Sequence, residues 1–135
     1  MKSLLPIAIV LALATGYGLW YQRSRGKVVV KSDKGLITDS MIGAALGSRV
    51  TLVQFSSAFC SPCRATRMLL EDVTETMSDV AYVEVDAETN LELVRTLDIR
   101  STPTTLFLDR SGHEVGRAMG APKRDQVLSA ISAIR

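Results

Sequence analysis

The sequence has 135 residues, of which 47% are hydrophobic and 22% are charged, the composition of a single globular domain with its own core. Its net charge of +2 is unevenly distributed. Residues 1–27 contain four basic and no acidic side chains, whereas the remaining 108 contain 12 basic and 14 acidic ones, a net charge of −2. The main part of the chain therefore lacks the broad basic surface of a nucleic-acid-binding protein, and we expect no nucleic acid among its partners.

An uncharged N-terminal run predicts a helix that crosses a membrane. Residues 4–21 contain 18 uncharged positions, which as a helix would span about 27 Å, close to the thickness of a bilayer's hydrocarbon core. Trp20 and Tyr21 end this run, where interfacial aromatic side chains are usual. The alternative is a signal peptide cleaved after the A-x-A motif at residues 12–14. Because the apolar run continues through that motif, an uncleaved single-pass anchor is the preferred interpretation.

We assign the anchor and its basic stem to residues 1–26 and a single soluble domain to residues 27–135. The charges that flank the apolar run favour a cytoplasmic position for this domain, since basic residues accumulate on the cytoplasmic side of a membrane helix. Only Lys2 precedes the run, whereas four basic residues follow it closely: Arg23, Arg25, Lys27 and Lys31.

The remainder of the chain alternates between strand-like and helix-like segments. Strands are predicted at residues 28–31, 50–56, 81–86, 104–109 and 114–119. Helices are predicted within residues 39–46, from 61 to about 77, at 91–97 and from Pro122 onwards. Strands joined through helices predict parallel pairs, and the RSGH turn at residues 110–113 predicts an antiparallel hairpin. The expected fold class is α/β, a mixed sheet with helices on both faces.

Two of these helices carry an apolar stripe that should face the core. In the helix that begins at Ser61, the predicted stripe consists of Met68, Leu69, Val73 and Met77. In the last helix it consists of Val127, Leu128, Ile131 and Ile134.

The motif FCSPC at residues 59–63 places Cys60 at a strand-to-helix junction and Cys63 one turn inside the helix. Residues three apart on a helix share a face, so the two sulfurs can come within bonding distance. The helix N-terminus favours a thiolate at Cys60, and Pro62 suits the first turn, where a missing N–H is tolerated. The pattern predicts a redox dithiol in which Cys60 attacks a disulfide and Cys63 resolves the intermediate.

The two cysteines have two other interpretations, a zinc site and a pair of inert thiols. A zinc site usually needs four ligands, but the chain offers only these two cysteines and His113, with no second C-x-x-C motif. Two inert buried thiols would not need the activating helix end. His113 is predicted to be a solvated turn residue and has no assigned role. We therefore expect no metal and no cofactor other than the Cys60–Cys63 disulfide itself.

Three features together resemble the thioredoxin family over about residues 30–135. They are the strand VTLVQFS that leads into FCSPC, the segment STPT at residues 101–104, and Gly120 before the last helix. The resemblance implies that Cys60 is the attacking thiol, Cys63 the resolving thiol, and Thr102–Pro103 a cis peptide that faces the sulfurs.

The same resemblance implies a substrate-binding surface around the cysteines. An extended substrate would pair with the backbone at Thr102 and Pro103, next to Phe59, Ser61 and Pro62. A proline at the start of a strand is the alternative interpretation of Pro103.

The sequence also departs from the usual thioredoxin pattern. Phe59 and Ser61 stand where thioredoxins typically have Trp and Gly. Gln54 replaces the family's buried acid, and Tyr82 replaces the lysine that accompanies it. Cys63 then lacks the base that the resemblance would supply, so exchange would be slower or differently tuned. Alternatively, Gln54 is simply a polar residue whose hydrogen bonds are satisfied inside the sheet.

The expected function is that of a membrane-tethered thiol-disulfide oxidoreductase that reduces disulfides in protein substrates. Its expected partners are those substrates and an electron donor such as a thioredoxin reductase. One alternative is a redox-silent peptide-binding module with the same fold. Another is an extracytoplasmic thiol oxidase or isomerase, which would differ in redox potential.

Overall fold

The computed structural model describes residues 4–24, 28–29 and 35–135 of the chain. The last two residues of the predicted strand 28–31, and most of the basic residues that flank the apolar run, lie outside this range. The helices are α1 (Leu4–Ser24), α2 (Asp39–Ile42), α3 (Ser61–Glu75), α4 (Leu91–Thr96) and α5 (Arg124–Ala133). The strands are β1 (Val28–Val29), β2 (Val50–Ser56), β3 (Val80–Asp86), β4 (Thr104–Asp109) and β5 (Glu114–Met119).

The five strands form one mixed sheet in the order β1-β5-β4-β2-β3. The predicted mixed sheet is thereby confirmed. Strands β2 and β3 run parallel, and the other neighbouring pairs are antiparallel. The interior strand β2 is buried over its whole length, as expected for a run rich in β-branched residues that is covered on both faces.

The prediction that helix-linked strands pair in parallel holds for β2 and β3 but not for β4, which lies antiparallel to β2. The helix α4 precedes β4 and has six residues. This helix advances only about 9 Å, against about 23 Å for a seven-residue strand, so by itself it does not carry the chain back to the far end of the sheet. The chain therefore enters β4 from the end at which β3 finishes.

Helices cover both faces of the sheet and enclose two apolar clusters, as predicted. The first cluster lies on the face covered by α2 and α4 and includes Val53, Phe55 and Leu106. The second lies on the opposite face, under α3 and α5, and includes Leu52 and Phe107. Adjacent residues of one strand thus pack into different apolar clusters, because side chains alternate between the two faces along a strand.

The apolar stripe predicted for α5 is confirmed, whereas the one predicted for α3 is only partly correct. In α5, Val127, Ile131 and Ile134 are buried and Leu128 is half-buried, which confirms that stripe. In α3 the prediction was wrong for Met68, which is 65% exposed. Val73 is buried as predicted, and Leu69 and Met77 are half-buried. Cys63, Thr66 and Leu70 are also buried, so the predicted stripe missed the apolar Leu70 as well as the small polar Thr66.

Two helix ends differ from the predicted ones, whereas the predicted hairpin turn is present. Helix α2 stops at Gly43, whose positive φ of 72° breaks the helix four residues before the predicted Gly47. Helix α5 begins at Arg124 rather than at Pro122. The predicted RSGH turn is present, with Gly112 at φ 87°, where a Cβ would lie 2.1 Å from the Ile37 carbonyl oxygen.

Helix α1 has the length and composition of a membrane-spanning segment. Its stretch Leu4–Arg23 has 20 residues and a mean hydropathy of 1.7, and none of it is buried against the rest of the chain. The rings of Tyr17 and Trp20 lie 5.9 Å apart, and those of Tyr17 and Tyr21 lie 6.2 Å apart. Such a helix could cross a membrane, although a signal sequence near an N-terminus has the same features.

Candidate active site

Cys60 and Cys63 lie just beyond the C-terminal end of β2 and are joined by a disulfide bond. Cys60 is the N-cap residue of α3, and its Sγ accepts a hydrogen bond of 3.2 Å from the backbone N–H of Cys63. Pro62 occupies the first turn, where α3 needs no N–H donor. The free N–H groups and the dipole of this helix end favour a negative charge on Cys60 once the pair is reduced.

The two cysteines differ in their access to solvent. Cys63 is 2% exposed, whereas Cys60 is partly exposed. Phe59, immediately before it, is 98% exposed, and Ser61 and Pro62 are exposed as well. An incoming disulfide can therefore reach the sulfur of Cys60 more readily than that of Cys63.

The Thr102–Pro103 peptide bond is cis, as predicted, and directly precedes β4. The antiparallel register pairs Thr104 with Phe55, so the cis peptide lies at the same end of the sheet as the cysteines. The hydroxyls of Ser57 and Thr102 are 3.3 Å apart, which ties this loop to the segment that leads into Cys60. Pro103 is buried, and its carbonyl accepts a hydrogen bond of 2.8 Å from the backbone N–H of Gly120.

A cavity of about 470 Å³ opens beside the disulfide. Cys60, Cys63 and Phe59 line one part of it. Charged side chains line another part: Arg64, Arg67, Glu84 and Asp86. The sulfurs therefore share a solvent-accessible space with both basic and acidic groups.

A buried amide lies directly beneath Cys63. Gln54 is fully buried in β2, and its Nε2 donates a hydrogen bond of 2.9 Å to the backbone carbonyl of Cys63. Its Oε1 accepts a hydrogen bond of 2.7 Å from the hydroxyl of Tyr82 on β3. The interpretation of Gln54 as a polar residue satisfied inside the sheet is thus confirmed. At the two positions where the sequence departs most from thioredoxin, the side chains bond to each other.

A carboxylate stands at the outer end of this arrangement. Glu84 lies two residues after Tyr82 on β3, and its carboxylate accepts hydrogen bonds from Ser56 at 2.9 Å and from both the Nε and Nη2 groups of Arg67. Burial acts to raise the pKa of Glu84, but the hydrogen bonds from Arg67 and Ser56 and the charge of Arg67 outweigh it and lower that pKa. Burial, and then the charge of Glu84, raises the pKa of the Tyr82 hydroxyl above its usual range. Tyr82 is therefore a neutral phenol and Glu84 an anion at neutral pH.

His113 lies at the opposite end of the sheet from the cysteines. Its backbone N–H bonds to Asp109, and Asp109 pairs with Val50 at the start of β2, whereas Cys60 follows the end of β2. His113 is thus an exposed turn residue, as predicted. Among the residues that the structure describes, no three Cys, His, Asp or Glu side chains gather closely enough to hold a metal ion.

Comparisons with known proteins agree with this geometry. The thioredoxin family model matches residues 38–133. Thioredoxin of Mycobacterium tuberculosis is 32% identical over 107 residues, covering 77% of this chain and 91% of that protein. Thioredoxin H2-1 of Oryza sativa subsp. japonica is 32% identical over 88 residues, covering 65% of this chain but less than two thirds of the rice protein, 62%. The solved thioredoxin structure from Fasciola hepatica superposes with a TM-score of 0.59 and is 26% identical, covering 66% of this chain and 84% of that one.

The chain belongs to the thioredoxin family. It is a thiol-disulfide oxidoreductase, as its thioredoxin homologues are. The matched region begins at residue 38, so α1 lies outside the thioredoxin domain as the family model defines it.

The sequence predicted the pairing of Cys60 with Cys63 and the cis Thr102–Pro103 bond, both of which the structure contains. The outer part of the hydrogen-bond network, with Arg67, Glu84 and Ser56 at the cavity, was not predicted. The available signal was the alternation along β3, which puts Tyr82 and Glu84 on one face, together with a β2–β3 register that pairs Gln54 with Glu84. That register depends on how two distant segments align, which the sequence alone leaves open.

Proposed function

We propose that this thioredoxin is a membrane-tethered reductase of protein disulfides that acts through Cys60 and Cys63. One observation carries the proposal: the accessible Cys60 caps α3, with its sulfur 3.2 Å from an N–H of the same helix end, while Cys63 is buried behind it. An exposed, anion-stabilised sulfur beside a shielded one is the arrangement that disulfide exchange through a mixed disulfide needs.

The proposed reaction has two steps. The thiolate of Cys60 attacks a substrate disulfide, and the distal substrate sulfur leaves as a thiolate while Cys60 forms a mixed disulfide with the other. The sulfur of Cys63 then attacks Cys60, closing the Cys60–Cys63 disulfide and releasing the second substrate thiol. Two electrons pass from the dithiol to the substrate. A separate reductase, of the kind that serves thioredoxins, would restore the dithiol, and the chain itself would need no other cofactor.

The substrate surface is proposed to surround Cys60. Phe59 offers an almost fully exposed apolar ring, and Ser61 and Pro62 are exposed beside it. Thr102 and Pro103 lie at the same end of the sheet, joined to this segment through Ser57. An extended segment of a protein substrate could lie across this surface, with its disulfide at Cys60.

Helix α1 is proposed to anchor the domain to a membrane. The support is its length, its apolar composition and the absence of packing between its residues Leu4–Arg23 and the rest of the described chain. The surplus of basic residues after α1 favours a cytoplasmic domain. Cysteine-accessibility labelling in intact cells, with a membrane-impermeant reagent on reduced protein, would test the sidedness.

The decisive measurement is the reduction potential of the full chain in detergent micelles, equilibrated against glutathione, together with turnover of a protein disulfide. Because Ser-Pro separates the cysteines without the histidine of strongly oxidising relatives, we expect a value near about −270 mV, that of a reducing thioredoxin. A value of about −120 to −180 mV would instead identify an oxidase or isomerase. A Cys60→Ser variant should lose turnover. If the wild type itself shows no turnover, and the variant binds peptide as well as the wild type does, the domain is a redox-silent module.

A further inference from the structure

We propose that Tyr82 and Gln54 are positioning residues for the resolving step, in which Tyr82 orients an amide that presents an N–H donor, rather than a base, beneath Cys63. The proton of Cys63 would then leave to water in the cavity instead of passing to a carboxylate inside the protein. This proposal rests on the proposed reaction of Cys60 and Cys63, and the experiment below separates the two.

Hydrogen-bond chemistry fixes the direction of the Gln54 amide. The backbone carbonyl of Cys63 can only accept a hydrogen bond, so the group 2.9 Å from it must be the NH₂ group of Gln54. The Oε1 atom then points to Tyr82, whose hydroxyl must donate to it across 2.7 Å. Tyr82 therefore holds the amide with its N–H groups towards Cys63, and loss of the phenol hydroxyl would release it.

The polar side chains buried around this amide are uncharged. Thr105 on β4 pairs directly with Gln54 across the sheet, and Thr66 lies one turn after Cys63 on α3; both hydroxyls are buried, and neither has a hydrogen-bond partner within the described part of the chain. The charged or titratable groups on the elements packed about Cys63 lie farther out, at the cavity or along α3 and β3. Besides Cys60 they are Arg64, Arg67, Glu71, Asp72, Glu75, Tyr82, Glu84 and Asp86.

Of the two carboxylates at the cavity, Glu84 already accepts several hydrogen bonds. It accepts from Ser56 and twice from Arg67, and the Tyr82 hydroxyl lies 3.2 Å from its Oε2. A carboxylate with this many donors is a weak base. Asp86 is exposed and accepts from the backbone N–H of Glu88. In the described part of the chain neither carboxylate hydrogen-bonds to Cys63, whereas the Gln54 amide bonds to its backbone carbonyl.

The resolving step can be written without an internal base. The Cys63 thiol gives its proton to water, while Gln54 holds the backbone of Cys63 in position through its carbonyl. The thiolate attacks the Cys60 sulfur, the S–S bond between Cys60 and Cys63 forms, and the bond from Cys60 to the substrate sulfur breaks. The substrate leaves as a thiolate and takes a proton from water. Because only the Cys63 thiol ionises in this step, the rate of resolution should depend on pH through a single ionisation.

A chromogenic aromatic disulfide, dithiobis(nitrobenzoate), separates the two steps in the reduced full chain in detergent micelles. Attack by Cys60 releases a first equivalent of coloured thiolate, and resolution by Cys63 releases a second. We expect the second phase of the wild type to rise through one ionisation between about pH 6 and 9, the range of a cysteine thiol. Cys63→Ser should release the first equivalent only.

Tyr82→Phe should slow the second phase by about three- to tenfold, the factor that one hydrogen bond is worth, and leave the first phase within about twofold. Val83→Ala is the matched control, since Val83 lies between Tyr82 and Glu84 on β3 but faces the opposite core. It should lower stability without changing either phase. Gln54→Glu, which puts a carboxyl group beneath Cys63, should add a second ionisation to the second phase.

Three results would overturn the proposal while leaving the proposed function intact. They are equal behaviour of Tyr82→Phe and Val83→Ala, a wild-type profile with a carboxyl ionisation that Glu84→Gln removes, and a Gln54→Glu profile identical to that of the wild type. Absence of the first phase in the wild type would overturn the proposed reaction itself, and this inference with it.

Discussion

The domain buries polar side chains on both faces of its sheet, and the two groups differ in charge. On the face covered by α2 and α4, Arg117 and Glu114 form a buried ion pair, with Nη2 and Oε2 2.7 Å apart. Arg117 also donates to the carbonyls of Leu97 and Asp98 at the end of α4. On the face covered by α3, the buried group is the neutral amide of Gln54. The buried charged pair thus lies on the face away from the cysteines, and the polar group buried beneath Cys63 is uncharged.

The difference shows what each group can do. The Arg117–Glu114 pair is fully satisfied within the protein. The guanidinium and the carboxylate neutralise each other, and the other N–H groups of Arg117 bond to backbone carbonyls at the end of α4. Such a pair fixes how α4 joins the sheet. Gln54 connects outward through Tyr82 to a carboxylate at the cavity, so its environment can influence the chemistry of Cys63. Variants at the two sites should therefore separate stability from reactivity.

The largest expected effect is on stability, from Arg117→Ala. It would leave the Glu114 carboxylate buried without its partner and should lower the free energy of unfolding by about 3–5 kcal/mol. Urea denaturation of the full chain in mild detergent, followed by circular dichroism, measures this. Replacing both residues with leucine should restore most of the loss, because an apolar pair carries no uncompensated charge. A loss below about 1 kcal/mol for the single variant would show that the pair is not closed to solvent.

A smaller effect is expected from Gln54→Leu. The substitution leaves the Cys63 carbonyl and the Tyr82 hydroxyl without their shared partner, which should cost about 1–3 kcal/mol. The cost should fall near the lower limit, because the Tyr82 hydroxyl is only 3.2 Å from Glu84 and can donate there. The same denaturation experiment applies, with Val83→Ala as the control for loss of buried contacts. A Gln54→Leu protein as stable as the wild type would show that the amide bonds contribute nothing to folding.

The sequence was sufficient for the features that depend on local chemistry. The β-branched run of β2, the cysteines at its junction with α3, and the cis peptide before β4 were all predicted. The order of strands and helices predicted the mixed sheet, and the motif with its spacing indicated the family. These features lie within short segments, or within a family pattern, whose meaning does not depend on how distant segments align.

The features that the sequence did not reveal depend on register. Residues Glu114 and Arg117, three apart in a regular strand, would face opposite sides of the sheet. A bulge in β5 pairs Phe107 with Gly116 but Leu108 with Glu114, and so brings both charges to one face. Likewise, Arg67 meets Glu84 only because α3 packs on β3 in one particular position. Neither alignment follows from propensity or from the hydrophobic pattern.

The smallest effect tests the outer end of the Gln54 network by pH. Because the pKa of Glu84 is lower in the folded chain than in the unfolded one, its ionised form adds stability above the unfolded pKa, and this contribution is lost as the pH falls through the folded value. The wild type should therefore exceed Glu84→Gln in stability at pH 7, by less than about 1 kcal/mol since the carboxylate is partly solvated. This difference should shrink between about pH 5 and 3. Denaturation of both proteins across that range measures it, and the Asp79–Arg49 pair, in which the Arg49 hydrogen bond lowers the pKa of Asp79, is present in both proteins and cancels in the comparison. A difference that instead grew on acidification would mean that burial outweighs Arg67 and Ser56 and raises the pKa of Glu84, so that its charge would destabilise the fold at pH 7.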